Sequence, residues 1–465
     1  MKRNYRLMVM LLLIGISAIA SAEETKTKLW RLQRALHLPD WIALSVEQRT
    51  RYETLDNQFR ARGQGGDQVI AFRTLIAAEA RFQDFHIGGE FIDSRLLLDD
   101  RGTPLDNTQV DEADLLQGYL GWNPKNLFGT GLGAEIKAGR ETIDLGGRRL
   151  VARNAFRNTI NSFTGIDIIV KDQDRWQIRG FFNLPVIRLP DQEDGLRAAD
   201  VRFDHEDLGT YFWGLFGKVS QIPWVGNIEA YFLNLHEDDS STTNTRNRRL
   251  FTPGMRFYKD PAKKQFDYEI ETVGQFGKSR ATTSRSDVSD LDHLAHYQHA
   301  QIGYTFDLPW TPRFLAQYDY ASGDGDPNDR DNGRFDTLFG ARRWEYGPTG
   351  IWGAFARANI NSPGYRVIVR PHNNVSAFIG HRLWWLAESR DAWTAANIQD
   401  FTGRSGDFIG HQIEASVTWQ AIPDNLMLET GWAHLIKGEF ARKAPTAPTE
   451  TADTDYFYVQ STIKF

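Results

Sequence analysis

The 465-residue chain contains no cysteine. A chain bound for an oxidising compartment without cysteine has no disulfide framework, so its fold must close through its own hydrogen bonds. Long apolar runs are also missing. Beyond the first 22 residues, no segment reaches the ~18 uninterrupted apolar positions of a spanning helix. There is no excess of basic charge either: 54 Lys and Arg against 60 Asp and Glu leave a formal −6. That balance, with no nucleic-acid motif, gives no reason to expect a nucleic-acid partner. Neither G-x-S-x-G nor H-E-x-x-H occurs, so the familiar hydrolase signatures are absent.

What is present begins with a leader. Lys2, Arg3 and Arg6 precede an apolar stretch at 7–19 and the small residues Ala20-Ser21-Ala22. This pattern predicts a cleavable signal peptide over 1–22 and an exported chain from 23 onward. Discounting its three basic residues takes the formal charge from −6 to −9. Residues 23–465 are expected to form a single domain. Aromatics make up 12% of the chain, with 14 Trp, while its averaged hydropathy is negative. Strands that alternate apolar and polar positions produce that combination.

The final ten residues show the alternation well. Phe457, Val459, Ile463 and Phe465 share one face of a period-2 strand, and Tyr458, Gln460, Thr462 and Lys464 share the other. An amphipathic strand ending on an aromatic is the closing strand expected of a bacterial outer-membrane barrel. Similar runs fall at 41–53, 69–82, 85–95, 114–122, 133–141, 161–171, 175–184, 208–219 and 224–235. They continue at 248–258, 266–276, 295–306, 313–321, 365–370, 375–387, 408–420, 426–436 and 455–465. The count is about 18, an even number, as single-chain barrels require.

Connections alternate long and short, and the short ones carry Pro, Gly, Asn and Asp. The predicted fold class is therefore all-β: a transmembrane antiparallel barrel with short periplasmic turns and long extracellular loops. The final strand should pair with the first. Residues 351–361 fit either a short helix or the upper part of the fourteenth strand. Trp41, Trp122, Trp224 and Trp310 fall near periplasmic strand ends, where an aromatic girdle belongs.

Several segments resemble the alginate-export family of outer-membrane proteins. They are Gly139-Arg140-Glu141 with Leu145-Gly146-Gly147-Arg148-Arg149-Leu150 and Phe156-Arg157-Asn158-Thr159; the run at 266–277; Pro312-Arg313 with Tyr318-Asp319-Tyr320-Ala321-Ser322-Gly323-Asp324 and Phe335; and Leu383-Trp384-Trp385-Leu386-Ala387 before Asp391-Ala392. The resemblance implies a monomeric barrel of about 18 strands with a basic constriction. It also implies passage of anionic polyuronate outward, with periplasmic secretion components as possible partners. Phe163-Thr164-Gly165 and Phe156-Arg157-Asn158 depart from the usual Phe-Asp-Gly and Trp-Arg-Asn steps, which leaves substrate identity open.

Period-2 phasing directs Arg49, Arg51, Arg73, Arg81, Arg179, Arg256, Arg366 and Arg370 into the lumen. The stretch after the fifth strand adds Arg148, Arg149, Arg153 and Arg157 if it folds inward. Arg140 is also a candidate, although alternation from Ile136 points it at lipid unless a bulge intervenes near Gly139. Opposing acids are Glu47, Glu79, Asp167, Glu229, Asp267, Glu269 and Glu271. A face carrying so many charges should be wet. Arginine rings select anions by replacing lost hydration, and the guanidinium fork matches a carboxylate. The alternative is a structural charge ladder across the barrel wall.

Asp324, Asp326, Asp329 and Asp331 offer oxygen ligands of the kind Ca²⁺ takes. The sixth position is Asp329 and the twelfth Phe335, so this is not an EF-hand loop, and a solvated extracellular loop is the simpler reading. His293, His296 and His299 alternate faces on a strand and would not gather about one metal. No cofactor is expected. The function expected is a channel for anionic, carbohydrate-like solutes, in contact with outer-membrane lipid. An uptake porin for small anionic nutrients is the alternative, and a barrel enzyme a more distant one.

Overall fold

The computed structural model describes residues 30–100, 102–241 and 243–465; the expected signal peptide lies outside them. Eighteen strands of 9 to 16 residues run through the described chain in one antiparallel sheet. They are β1 (Ile42–Asp56), β2 (Asp67–Phe82), β3 (Phe85–Leu97), β4 (Asp111–Trp122), β5 (Gly133–Glu141), β6 (Phe163–Asp172), β7 (Trp176–Ile187), β8 (Thr210–Ile222) and β9 (Gly226–Glu237). Then come β10 (Arg249–Lys259), β11 (Phe266–Ser279), β12 (Leu291–Thr305), β13 (Arg313–Ala321), β14 (Ile360–His372), β15 (Val375–Trp385), β16 (Phe408–Ile422), β17 (Leu426–Lys437) and β18 (Thr454–Lys464). Two dipeptide strands, His205–Glu206 and Asp331–Asn332, lie on loops.

The sheet closes on itself. β18 pairs with β1 from Glu47 opposite Lys464 to Asp56 opposite Asp455. Closure removes the unpaired edges that a hydrocarbon environment cannot satisfy. Among the described residues no helix is long and apolar enough to cross a membrane. In β18, Tyr456, Tyr458, Gln460 and Thr462 are buried inward, while Val459 is exposed on the outer face, the register expected from the alternation. Trp41, Trp224 and Trp310 are exposed at the short-turn end, where Phe85 stacks on Trp122.

Strand boundaries differ from the sequence expectation mostly at the extracellular ends. β4, β12 and β14 begin three to five residues early, and β1 and β11 end three residues late. Above the lipid the outer face is no longer apolar, so the hydropathy pattern fades while the backbone ladder continues.

The lumen differs more. Its inner faces change character along each strand. The periplasmic half carries charges, whereas the extracellular half carries Leu55, Val69, Leu233, Leu235, Tyr297 and Leu435, all buried in one apolar cluster with Phe59, Trp352, Phe355 and Trp393. The expected uniformly wet interior is therefore only half wet, because long loops fold back and pack on those faces. Residues 351–359 are neither helix nor strand. They form an irregular segment with Ile351, Trp352, Ala354 and Phe355 fully buried, and Phe355 stacks on Trp384 at 3.7 Å with the rings 4° apart. The loops at 142–162 and 322–359 meet at a parallel bridge between Val151 and Phe339. The approach is so close that a Cβ on Gly340 would collide with the Arg149 carbonyl.

Candidate functional site

The loop at 142–162 hangs in the lumen from three strand arginines. Arg49 donates from Nη1 to the Ala155 and Phe156 carbonyls (2.8 and 3.1 Å) and from Nη2 to the Arg157 carbonyl and Asn158 Oδ1 (2.8 and 3.0 Å). Arg51 donates to the Phe156 carbonyl at 2.7 Å and pairs with Glu53. Arg73 donates to the Ala155 and Arg157 carbonyls (2.8 and 3.1 Å) and to Glu47 at 3.0 Å. Asn158 completes the anchor, donating to the Phe72, Arg95 and Gln109 carbonyls. These guanidiniums satisfy loop carbonyls that would otherwise be buried unpaired.

Deeper in, the loop charges are neutralised. Arg149 meets Glu269, Glu271 and Glu345 at 2.5, 2.6 and 2.9 Å. Burial alone would lower its pKa; the three carboxylates outweigh burial and hold it well above the ordinary value. Arg256 bridges Glu229 and Glu269, and Arg179 forks onto Asp167. Asp267 pairs with Arg313, Glu79 with Arg81 and the Tyr119 hydroxyl, and Arg366 approaches Glu414 at 3.7 Å. Arg313, Arg343, Arg357 and Arg382 belong to the same network. Arg343 and Arg357 were missed in the sequence because loop positions carry no period, whereas Arg313 and Arg382 were open to strand phasing.

Below this network a vestibule of about 640 Å³ opens between the loop residues Ala152 to Phe156 and the short-turn residues Asn374, Asp424 and Asn425. Its wall holds seven basic side chains against four acidic ones, a net positive entrance at the periplasmic end. Arg153 borders it, tied to Glu90 and Thr142. Arg148 is exposed into it at φ 60°, and its guanidinium has no ion pair or hydrogen bond among the described residues.

A second basic group lies in the extracellular loops. Arg60, Arg157, Arg188 and Arg342 have no ion pair among the described residues. Arg60 donates to the Ile351 and Trp352 carbonyls, Arg342 to the Phe355 carbonyl, and Arg188 to the Asn107 carbonyl and Asn161 Oδ1. Burial, then repulsion from Arg342 and Arg188, lowers Arg157 to about 9, while Asp106 opposes the shift. Burial brings Arg60 and Arg342 to about 10.

Other candidates fall elsewhere. Arg140 is out of phase with the inward Lys137 and Glu141, does not face the vestibule, and bonds Glu206 at 2.8 Å and the Leu115 carbonyl at 3.0 Å. Alternation, not a bulge, decides its direction; the ladders on both sides of β5 keep register through it. Arg81 and Arg370 are exposed at the short-turn end. Asp324, Asp326, Asp329 and Asp331 do not converge on a common point. Asp326 and Asp329 instead accept hydrogen bonds from Asn328 and the Asp331 amide within their own loop. His293 and His299 are buried inward and His296 faces out.

The barrel resembles solved outer-membrane structures from Pseudomonas aeruginosa. OccK9 (OpdG) matches with a TM-score of 0.58 at 13% identity, over 91% of this chain and 98% of that one. OccK2 (OpdF), solved in complex with glucuronate, matches with a TM-score of 0.57 at 11% identity, over 91% and 98%. Such identities establish a shared fold. No curated protein matches the chain in sequence. A family model described as Alginate export matches residues 40–454. The family and the fold are of channel type rather than enzymatic. The chain belongs to the alginate-export family and is an outer-membrane channel-type β-barrel of a bacterium.

Proposed function

We propose that this barrel passes anionic, carbohydrate-like solutes, polyuronates among them, through an arginine-lined lumen. The observation that carries this reading is the vestibule: seven basic groups face four acidic ones, and Arg148 stands in it without a partner. Such a group can exchange water for a solute carboxylate without breaking an existing ion pair. Arg60, Arg157, Arg188 and Arg342 add further guanidiniums without ion pairs within the extracellular loops. An anion could thus be handed from one basic region to the next, each weak enough to release it. The glucuronate bound to OccK2 is a uronate in a barrel of the same fold.

Entry from the periplasm with exit outward fits the net positive vestibule at the short-turn end. In this reading the barrel works as a monomer, with a periplasmic carrier delivering polymer to the vestibule. Planar-bilayer reversal potentials under a KCl gradient test the proposal. Anion preference is expected, weakened in Arg148→Ser; cation preference in the wild-type barrel would end it. Uptake of small anionic nutrients is a second reading, favoured by the extracellular arginines. Blockade by glucuronate oligomers added from each side separately distinguishes the two directions.

A further inference from the structure

Asp111 opens β4, Asp114 follows it by three residues, and Asp204 comes from the loop that joins β7 to β8. One carboxylate oxygen from each lies within 4.8 Å of the others. That span matches the separation across the ligand shell of a hard cation bound at about 2.4 Å. Asp111 is 1% exposed, and its Oδ1 is buried with no hydrogen-bond partner. A sealed, unpartnered carboxylate oxygen is costly to bury and points to a positively charged ligand.

The protein groups around the cluster do not fill that role. Asp114 accepts from the Leu115 amide and, at 2.5 Å, from the Asp204 amide. Asp204 accepts from the Leu189 amide at 2.8 Å. Arg140 comes no closer than 3.7 Å to Asp114 and is engaged by Glu206, the Leu115 carbonyl and the Asp204 carbonyl. Arg188 directs its guanidinium at the Asn107 and Ile160 carbonyls and Asn161.

We propose that Asp111, Asp114 and Asp204 bind a divalent cation, Ca²⁺ by their all-oxygen donor set, and that this cation fastens the loop at 188–209 to the top of β4. Carboxylate oxygens without nitrogen or sulfur ligands select Ca²⁺ or Mg²⁺ over zinc or copper, and Ca²⁺ accepts a less regular shell than Mg²⁺. Three carboxylates leave further positions for backbone carbonyls and water. Arg140 is then a positioning residue: it clamps Glu206 and the Asp204 carbonyl, which holds the loop ligand over the strand ligands.

The test uses the full barrel, purified in detergent free of lipopolysaccharide and stripped with EGTA. Calorimetric titration with CaCl₂ should show one saturable site, and Ca²⁺ should protect the 188–209 loop from limited proteolysis. Asp111→Asn and Asp204→Asn should each weaken binding by about tenfold or more. The paired change Asp326→Asn, Asp329→Asn should leave it unaltered. If Asp111→Asn does not fold, Asp204→Asn carries the comparison, since its side chain is on a loop. No saturable binding up to about 10 mM Ca²⁺, or equal binding in the Asp204→Asn barrel, would overturn the proposal.

Discussion

Arg148 and Arg149 are adjacent in sequence and opposite in circumstance. Arg148 projects into the vestibule unpaired; Arg149 is locked between Glu269, Glu271 and Glu345. Substitution should separate conduction from stability. Arg148→Ser should reduce anion preference in reversal-potential measurements and leave urea unfolding of the barrel unchanged within ~0.5 kcal/mol. Arg149→Met should lower stability by about 3–5 kcal/mol, because three acids lose their shared cation in a buried place. Equal effects of the two on selectivity would contradict the division. At the same scale, Trp384→Ala removes the ring that stacks on Phe355 and is fully buried. A loss of about 3–5 kcal/mol is expected, read from the unfolding midpoint in urea.

At the scale of elements, the loop at 322–359 is held by charge as well as by packing. Glu345, on the short helix Arg343–Tyr346, has its pKa lowered: burial opposes ionisation, and Arg149 and Arg357 outweigh it. A depressed carboxylate stabilises the folded state fully above its unfolded value near ~4.3, and that stabilisation is lost as pH falls toward the folded value. Acidification below about pH 4 should therefore loosen this loop first. Trp352 and Trp393, buried beside it, should show a fluorescence red shift there while the strand signal in circular dichroism persists. Loss of both signals together would argue that loop and wall unfold as one unit.

These elements also mark where a linear reading works. The phases of β1, β11, β14 and β18 were legible because a strand with lipid on one side must alternate strictly. The segment at 351–359 was not: its apolar residues suggested a strand or helix, yet they serve an irregular loop whose backbone is satisfied by Arg60, Arg342 and Glu53 from elsewhere in the chain. Arg140 shows the reverse case. Alternation already pointed it away from the lumen, and the motif around it invited an inward placement that its partners Glu206 and Asp114 do not share.

For the whole molecule, the extracellular half is packed with loop residues and the periplasmic half is charged, so the loops are expected to be the chief obstacle to conduction. Deleting 348–355, which carries Trp352 and Phe355, should raise single-channel conductance by at least about twofold while β1–β18 closure persists, seen as heat-modifiable migration on gels. Unchanged conductance would place the resistance at the 142–162 loop instead.

Strand number, topology and the alternation of outward and inward faces followed from the sequence alone. Period-2 hydropathy and turn chemistry are local properties, and a membrane enforces them on every strand. Only the tertiary structure decided which guanidiniums are neutralised, which hold loop carbonyls and which, like Arg148, stay unpaired. That depends on where loops 142–162 and 322–359 fold in three dimensions, bringing Arg149 to Glu271 and Arg49 to Ala155. Such contacts join residues more than a hundred positions apart, and no local pattern encodes them.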